Sequence, residues 1–553
     1  MISTRKLISR RGLAALAGAV LLAGVIAAVA SSAPPPAAGE FTNVALANTK
    51  AAGIAPANGL SPELADAVAA QGSTKIENGT SAVPYYGYDG NGPMVPPLGS
   101  NVEASKTEPD KNTYLVFKKG LSGPDPNYDY GTHFLFQGHE TGSPGYLTRI
   151  NLDADPAHRV TLLATTDQNG SPLPNFDGST WDPWSRQLLF TTENASKPGV
   201  YAIGATFPST AHDLVGSLGD AAYEGIQNDS AGNLILEEDA SGSNKTDPNN
   251  NNAATTAKRP NSFTYRFLPT KPGDLTSGKL QVLQVLAADG HPITFASQAA
   301  LQSADQVALH TYGSSFETRW ITIHDTAVDG TAAFNVNALA KAASGTPFKR
   351  PENGQFRPGS DFREYYFDET GDTNATSPEN ACCGGWGSIF KLVQKNPRAD
   401  TGTLSIFYNG NQAHAGFDNT TFFSKNEISF VEDAGDTLHT QRNALDSAWM
   451  FDVTKDYSNQ ANQPVRFIAE GRDASATIDS GLQGTSGFQN EGDNEITGIH
   501  VSDGDPGEYG ILGSKVPKAL GQHGWRGFWT QQHGDNYTWE LIQVPESMRP
   551  GGH

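Results

Sequence analysis

A degenerate repeat constrains this chain more than any other feature. Glu224–Asp229 leads through the polar turn Ala231-Gly232-Asn233 into the apolar run Leu234-Ile235-Leu236, which closes on Glu237-Glu238-Asp239. The same order recurs from Asp177 through Pro183–Gln187 to Glu193-Asn194, and from Asp418 through Ser424-Lys425-Asn426 to Glu432-Asp433. Glu352 opens a copy with a longer turn, closing on Asp368-Glu369. Glu495 opens a fifth, whose closing strand, Phe528–His533, follows an insertion. Each unit is an acid, a strand, a turn, a strand and a second acid. An antiparallel hairpin returns the chain to the rim it left, so opening and closing acids share one end. Repeated radially, such hairpins place rings of acids around one mouth of a β-propeller.

The rest of the chain agrees with an all-β fold. Short β-type runs alternate with turn clusters: Thr132–Gln137, Gln187–Thr192, Asn233–Glu237, Ser262–Phe267, Arg319–Ile323, Glu364–Phe367, Ser388–Leu392, Leu404–Tyr408, Ser447–Val453 and Gly527–Gln532. Helical periodicity is confined to Pro62–Ala70, Pro292–Leu309 and Val336–Ala343. With 59 Gly, 34 Pro and only 18% charged residues among 553, bundles and coiled coils are disfavoured. At about 40–50 residues per blade, the expectation is a six-bladed propeller with loop insertions, a single domain over 61–545. Asn249–Asn252, inside Ser241–Lys258, reads as a polar surface loop.

The N-terminus has a different character. Arg5, Lys6, Arg10 and Arg11 precede an apolar run from Leu13 to Ala30, and Ala28-Val29-Ala30 offers a cleavage pattern. Ser9-Arg10-Arg11-Gly12-Leu13 resembles a twin-arginine signal. Residues 1–30 are therefore expected to be a signal peptide and 31–60 a flexible lead-in. The mature protein is expected to be exported to the periplasm or beyond, with no membrane span and as a monomer.

The net charge is −21, which disfavours a nucleic-acid partner and fits cation binding. Carboxylates crowded at a mouth raise one another's pKa unless a cation neutralises them. Calcium takes six to eight oxygens without a strict geometry. The metal candidates are Glu140, Glu193, Glu224, Glu352 and Glu495, followed by Asp239, Asp418 and Glu432. His533 closes the fifth hairpin and is expected to face the same mouth as a catalytic residue, and His139 stands next to Glu140. His324, His414, His439 and His500 read as ordinary polar or buried residues. No His-Glu-x-x-His, Gly-x-Ser-x-Gly, phosphate loop or dinucleotide fingerprint is present. Cys382-Cys383, the only cysteines, form a vicinal disulfide, stay free or ligate a soft metal.

These motifs resemble, in chain order over about residues 130–540, the PhoX family of exported bacterial alkaline phosphatases. His139-Glu140 is similar to its early Asn-His-Glu element, and Trp184–Asn194 to its Pro-Trp-Gly-Thr-Trp segment, which carries a metal-binding Glu onto Glu193. Tyr223-Glu224-Gly225 and Arg350-Pro351-Glu352 resemble the next Glu-bearing blades. Glu495-Ile496-Thr497-Gly498 with Gln532-His533-Gly534 resembles the closing pair. The resemblance implies a six-bladed propeller, twin-arginine export and a calcium-containing cluster that hydrolyses phosphoesters. Where the family has an iron-binding Cys, this chain has Phe176–Thr180, so the expectation is calcium without iron, with Asp177 supplying an oxygen. Arg350 is expected to orient the phosphate of a small phosphorylated substrate, or else to pair with a neighbouring acid. Two other functions suit the same fold: a calcium-stabilised propeller that only binds a ligand, and a lactonase or esterase on a calcium propeller.

Overall fold

The computed structural model describes residues 40–50, 57–90, 92, 106–297, 299–472, 495–532 and 535–549. The expected signal peptide lies outside the described residues. No helix among them is long and apolar enough to cross a membrane.

The protein is almost entirely β. Pro109–Val116, His133–His139, Leu147–Asn151 and Val160–Ala164 form the first antiparallel sheet, and Ser179–Asp182, Gln187–Thr191, Val200–Ile203 and His212–Asp213 the second. A nine-stranded sheet then runs from Tyr223–Asn228 through Leu234–Glu238, Thr264–Pro269, Gly278–Val285 and Phe316–Asp325. It continues through Thr401–Asn409, Ser388–Gln394 and Glu364–Glu369 to Gly354–Phe356. Phe417–Phe422, Glu427–Glu432, Ser447–Asp452 and Val465–Ala469 make the next sheet, with Gly59–Leu60 added at its edge. In the last sheet, Glu495–Ser502, Arg526–Gln532 and Tyr537–Gln543 are completed by the early strand Leu64–Ala70. Joining the start of the chain to its final sheet leaves no open seam.

The sheets are arranged like propeller blades. Strands Pro109–Val116, Ser179–Asp182, Tyr223–Asn228, Gly354–Phe356, Phe417–Phe422 and Glu495–Ser502 touch one another in that order, and the last touches the first. Apolar cores lie between consecutive sheets: Phe134 and Leu147 meet Leu188 and Phe190, Leu189 and Val200 meet Tyr223 and Leu234, and Val431 and Phe467 meet Ile496 and Trp529. Tyr114 and Leu135 meet Ala69 and Phe528, closing the circuit. Both faces of most strands are thus covered, which explains runs of β-branched and aromatic residues where one-sided alternation would mark an exposed face. Near the centre the backbones approach so closely that only glycine fits. A Cβ on Gly225 would stand 2.5 Å from the carbonyl oxygen of Glu352. Gly225→Ala should therefore lower stability by about 1–3 kcal/mol in denaturant unfolding, while alanine at Gly59, where a Cβ would meet nothing closer than Ala469 Cβ at 3.4 Å, should cost less than half as much; equal losses would mean that the approach is not tight.

All ten strand expectations hold to within a few residues. Val336–Ala342 is helical as expected. Pro292–Leu309 is helical only over Ala304–Leu309. Pro62–Ala70 is a strand: its Ala-rich composition favours helix, but pairing with Tyr537–Gln543 overrides local preference. The polar insertion is a hairpin, Asn244–Asp247 with Ala253–Lys258, and the Asn run makes its turn. The described part of the lead-in, expected to be flexible, is docked. Thr42 donates to Glu63, the Val44 amide bonds to the Arg466 carbonyl, and Phe41 stacks on Phe467. Apolar burial at the edge of the neighbouring sheet holds it.

Candidate metal centre

Four of the central strands begin with the same irregularity. A bulge sets Asp110-Lys111, Glu224-Gly225, Asp418-Asn419 and Ile496-Thr497 against the partner strand, each between one regular pair and the next. A bulge inserts an extra residue and re-aims the side chains beside it. Before the two remaining central strands, which start at Ser179 and Gly354, stand Asp177 and Glu352. The result is a ring of buried carboxylates: Asp110, Asp177 and Glu224 place oxygens within 4.8 Å of one another, and so do Glu224, Glu352 and Asp418.

A second tier lies where the returning strands end. Glu140, Asp177 and Glu193 form one triad, and Glu193, Asp239 and Glu352 another. Gln532 donates to Glu140 at 2.6 Å, linking the last sheet to the first. A cleft of about 690 Å³ opens beside Glu140, Asp177 and Glu193, walled by Pro172, Pro174, Asn194, Lys197 and Tyr201.

The electrostatics are those of a site built for cations. Burial, followed by the neighbouring acids, pushes the carboxyls of Asp177, Glu224 and Asp418 well above the ordinary range. Burial does the same to Glu352, reinforced by Asp239 and opposed by Arg350. Asp110 is raised by burial to about 7 despite its bond to the Lys111 amide. Asp177 Oδ1 and Asp239 Oδ1 are buried without a hydrogen-bond partner, which is costly unless something else supplies the positive charge. Beside Asp110, Lys111 donates from Nζ to Asn353 Oδ1. Burial lowers its ammonium to about 8, and Asp418, Asp110, Asp368 and Glu224 hold it that high.

Five of the six expected metal residues, Glu140, Asp177, Glu193, Glu224 and Glu352, come together, as do Asp239 and Asp418. Glu495 does not enter these groups. In register it matches Pro109, Tyr223 and Phe417, the residues before the bulge, so the ring position of its strand is Ile496, fully buried in apolar surroundings. A shift of one residue turns a side chain to the other face. Glu432 misses for the same reason: it precedes Asp433 and turns inward to Trp449 Nε1, Arg442 and the Ser447 amide. Asp110 was missed because its hairpin opens on Pro109-Asp110-Lys111, where the lysine hides the acid-then-small pattern of the other copies.

Arg350 sits in the mouth with positive φ (59°), Nε on Asp239 at 2.7 Å and Nη2 3.2 Å from Glu352 and 3.3 Å from Asp433. His533 lies outside the described residues. His139 is fully buried and bonded to Thr148, and burial drops its pKa to about 3. His414 and His500 are likewise held neutral by burial, His439 pairs with Asp446, and His324 stacks on Phe334. Cys382 and Cys383 form a vicinal disulfide, which leaves neither thiol to ligate a metal. It adjoins a buried ion network in which Lys245 and Lys349 both bind Glu379 and Lys349 also binds Asp372.

Fold and site together define a propeller-like β protein with a carboxylate-ringed central mouth. Its overall fold is similar to that of PhoX from Pseudomonas fluorescens, solved with vanadate as a transition-state analogue: TM-score 0.52, 10% identity, 90% of this chain and 98% of that one covered. The β-propeller domain of Cps50 (Swd1) from Myceliophteria thermophila is more distant, at TM-score 0.33 and 10% identity, covering 79% of this chain and 98% of that one. No protein-family model and no curated protein matches the sequence.

Proposed function

We propose that this protein is an exported, calcium-dependent phosphoester hydrolase on a six-bladed propeller. The observation that carries the reading is the ring itself: five buried carboxylates at equivalent positions of successive central strands. Six blades follow if the nine-stranded sheet is two blades joined edge to edge, where Phe316–Arg319 pair with Thr401–Leu404. The vanadate bound to PhoX supports phosphoryl chemistry as the first activity to test.

The donor set fits calcium: Asp110, Asp177, Glu224, Glu352 and Asp418 with Glu140, Glu193 and Asp239 supply hard oxygens only, two of them unpartnered. With the only cysteines joined as a disulfide, iron held by a thiolate has no ligand. When bound, calcium would supply Lewis acidity and neutralise charge on a phosphoryl group. The chain's own part is orientation. Asp239, Glu352 and Asp433 fix the Arg350 guanidinium at the mouth, where its fork of donors matches phosphate oxygens. The adjoining cleft accommodates the leaving group. The substrate is a small phosphorylated molecule, and the protein works as a monomer.

Release of p-nitrophenol from phosphomonoesters and phosphodiesters by calcium-loaded protein, abolished by EDTA, is the expected result. No turnover would overturn the proposal. Turnover of lactones alone would favour the esterase reading, and calcium-dependent stabilisation with no turnover the binding module. Arg350→Lys should retain its calcium and lose about 10- to 100-fold in kcat/KM for phosphomonoesters, because a point charge cannot keep the planar fork; unchanged kinetics would confine Arg350 to pairing with acids.

A further inference from the structure

We propose that Lys258 is a second phosphate-binding residue of the mouth, its ammonium group holding a non-bridging oxygen of the phosphoryl group beside the Arg350 guanidinium. The inference rests on the phosphoester-hydrolase reading of the mouth.

The strands that return to the mouth continue into connections of very different length. After Glu140 and Glu193 the next strands start at Leu147 and Val200. After Glu238 the sheet resumes only at Thr264, after Glu369 at Ser388 and after Glu432 at Ser447. The three long connections are stitched to one another. Lys245, on the inserted hairpin, binds Glu379 at 2.9 Å, and the Lys258 amide donates to Asp372 Oδ1 at 2.9 Å. The Ala375 amide donates to Gln441 Oε1 at 2.7 Å. Together they wall one side of the mouth, while the cleft opens beside Glu140 and Glu193 on the other.

Lys258 ends the inserted hairpin and is tied, by backbone and by side chain, to neighbours of the Arg350–Asp239 pair. The Asp372 carboxylate that accepts its amide also takes Lys349 Nζ at 2.9 Å, and Lys349 directly precedes Arg350. Lys258 Nζ donates to Ser241 Oγ at 3.3 Å, and Ser241 closely follows Asp239, the carboxylate on Arg350 Nε. Consistent with that bracket, Arg350 is the strongest charge acting on the Lys258 ammonium, followed by Asp239. The neighbouring bases are committed to carboxylates: Lys245 to Glu379, Lys349 to Asp372 and Glu379, Arg442 to Glu432 and Asp446. Lys258 has one serine hydroxyl and no ion pair among the described residues. An ammonium carries three donors. Keeping it half-buried beside a guanidinium, with no carboxylate of its own, is costly until an anion arrives. A phosphoryl group meets both cations at once, through charge-assisted bonds to separate oxygens.

The test is phosphate affinity. The full-length exported chain is loaded with calcium, desalted and titrated with inorganic phosphate in a calorimeter, alongside Lys258→Met, Lys258→Arg and Lys279→Met. Lys279 pairs with Asp325 at the opposite end of the same sheet from Asp239, and its variant removes an equal charge away from the mouth. Lys258→Met should weaken phosphate binding about 10-fold and raise KM for p-nitrophenyl phosphate by a similar factor, with kcat little changed. Lys258→Arg should stay within a few-fold of the parent, and Lys279→Met should match it. Equal affinity in the parent and Lys258→Met would overturn the role of Lys258 and leave the hydrolase reading standing. An equal loss in Lys279→Met would overturn it too, because overall charge would then account for the effect. A parent that neither binds phosphate nor turns over the ester would sink the hydrolase reading, and this inference with it. If Lys258→Met does not fold, Lys258→Gln, whose amide can keep the bond to Ser241, is judged by the same criteria.

Discussion

Chelation of divalent ions should lower the melting temperature of this protein much more at pH 8 than at pH 5. Without a cation, Asp110 holds its proton up to about pH 7 when folded, against an ordinary value of 3.8. Between those values the folded state binds a proton that the unfolded chain has released. Its stability is therefore full below pH 4 and falls as the pH rises towards 7, with no further loss from this group above that. Asp177, Glu224, Glu352 and Asp418 shift in the same direction, so their losses add to that of Asp110. A bound calcium ion needs these groups deprotonated, so the loaded protein should escape the decline. Thermal melts with EDTA and with excess calcium across this range provide the comparison; a difference that does not grow with pH would show that the ring does not depend on cations.

Glu352→Gln should abolish calcium-dependent turnover of phosphomonoesters, by at least about 100-fold, while Glu495→Gln should stay within a few-fold of the parent. Glu352 belongs to two triads, accepts from Thr370 Oγ1 and helps to hold Arg350. The amide preserves its shape but removes its charge and one oxygen donor. Glu495 opens a hairpin in the same way in the sequence, yet stands one residue before its ring position. Steady-state kinetics and metal content of the two variants decide the matter together. Equal loss in both would mean that the register of the last sheet places Glu495 in the mouth.

This contrast shows how far the sequence was legible. The repeat of acid, strand, turn and acid exposed Glu224, Asp418 and Glu352 because antiparallel pairing must return each hairpin to its origin. It could not resolve single-residue register, since a bulge leaves no composition of its own. Glu495 opens a hairpin and Glu432 closes one as the ring acids do, and only the register, with Glu495 opposite Gln532 and Glu432 opposite Phe417, sets them apart. Asp110 was hidden by Lys111, whose side chain bonds to Asn353, 242 residues away.

By itself the sequence determined an all-β chain of repeated hairpins with acids gathered at one end, because strand period, turn chemistry and antiparallel return are local. Only the tertiary structure decided which acids meet. Ring closure through Leu64–Ala70, the one-residue bulges and the approach of strands at Gly225 join residues far apart in the chain. Those contacts, and the burial they impose on Asp177, Glu224, Glu352 and Asp418, turn an excess of acids into a candidate centre for cations.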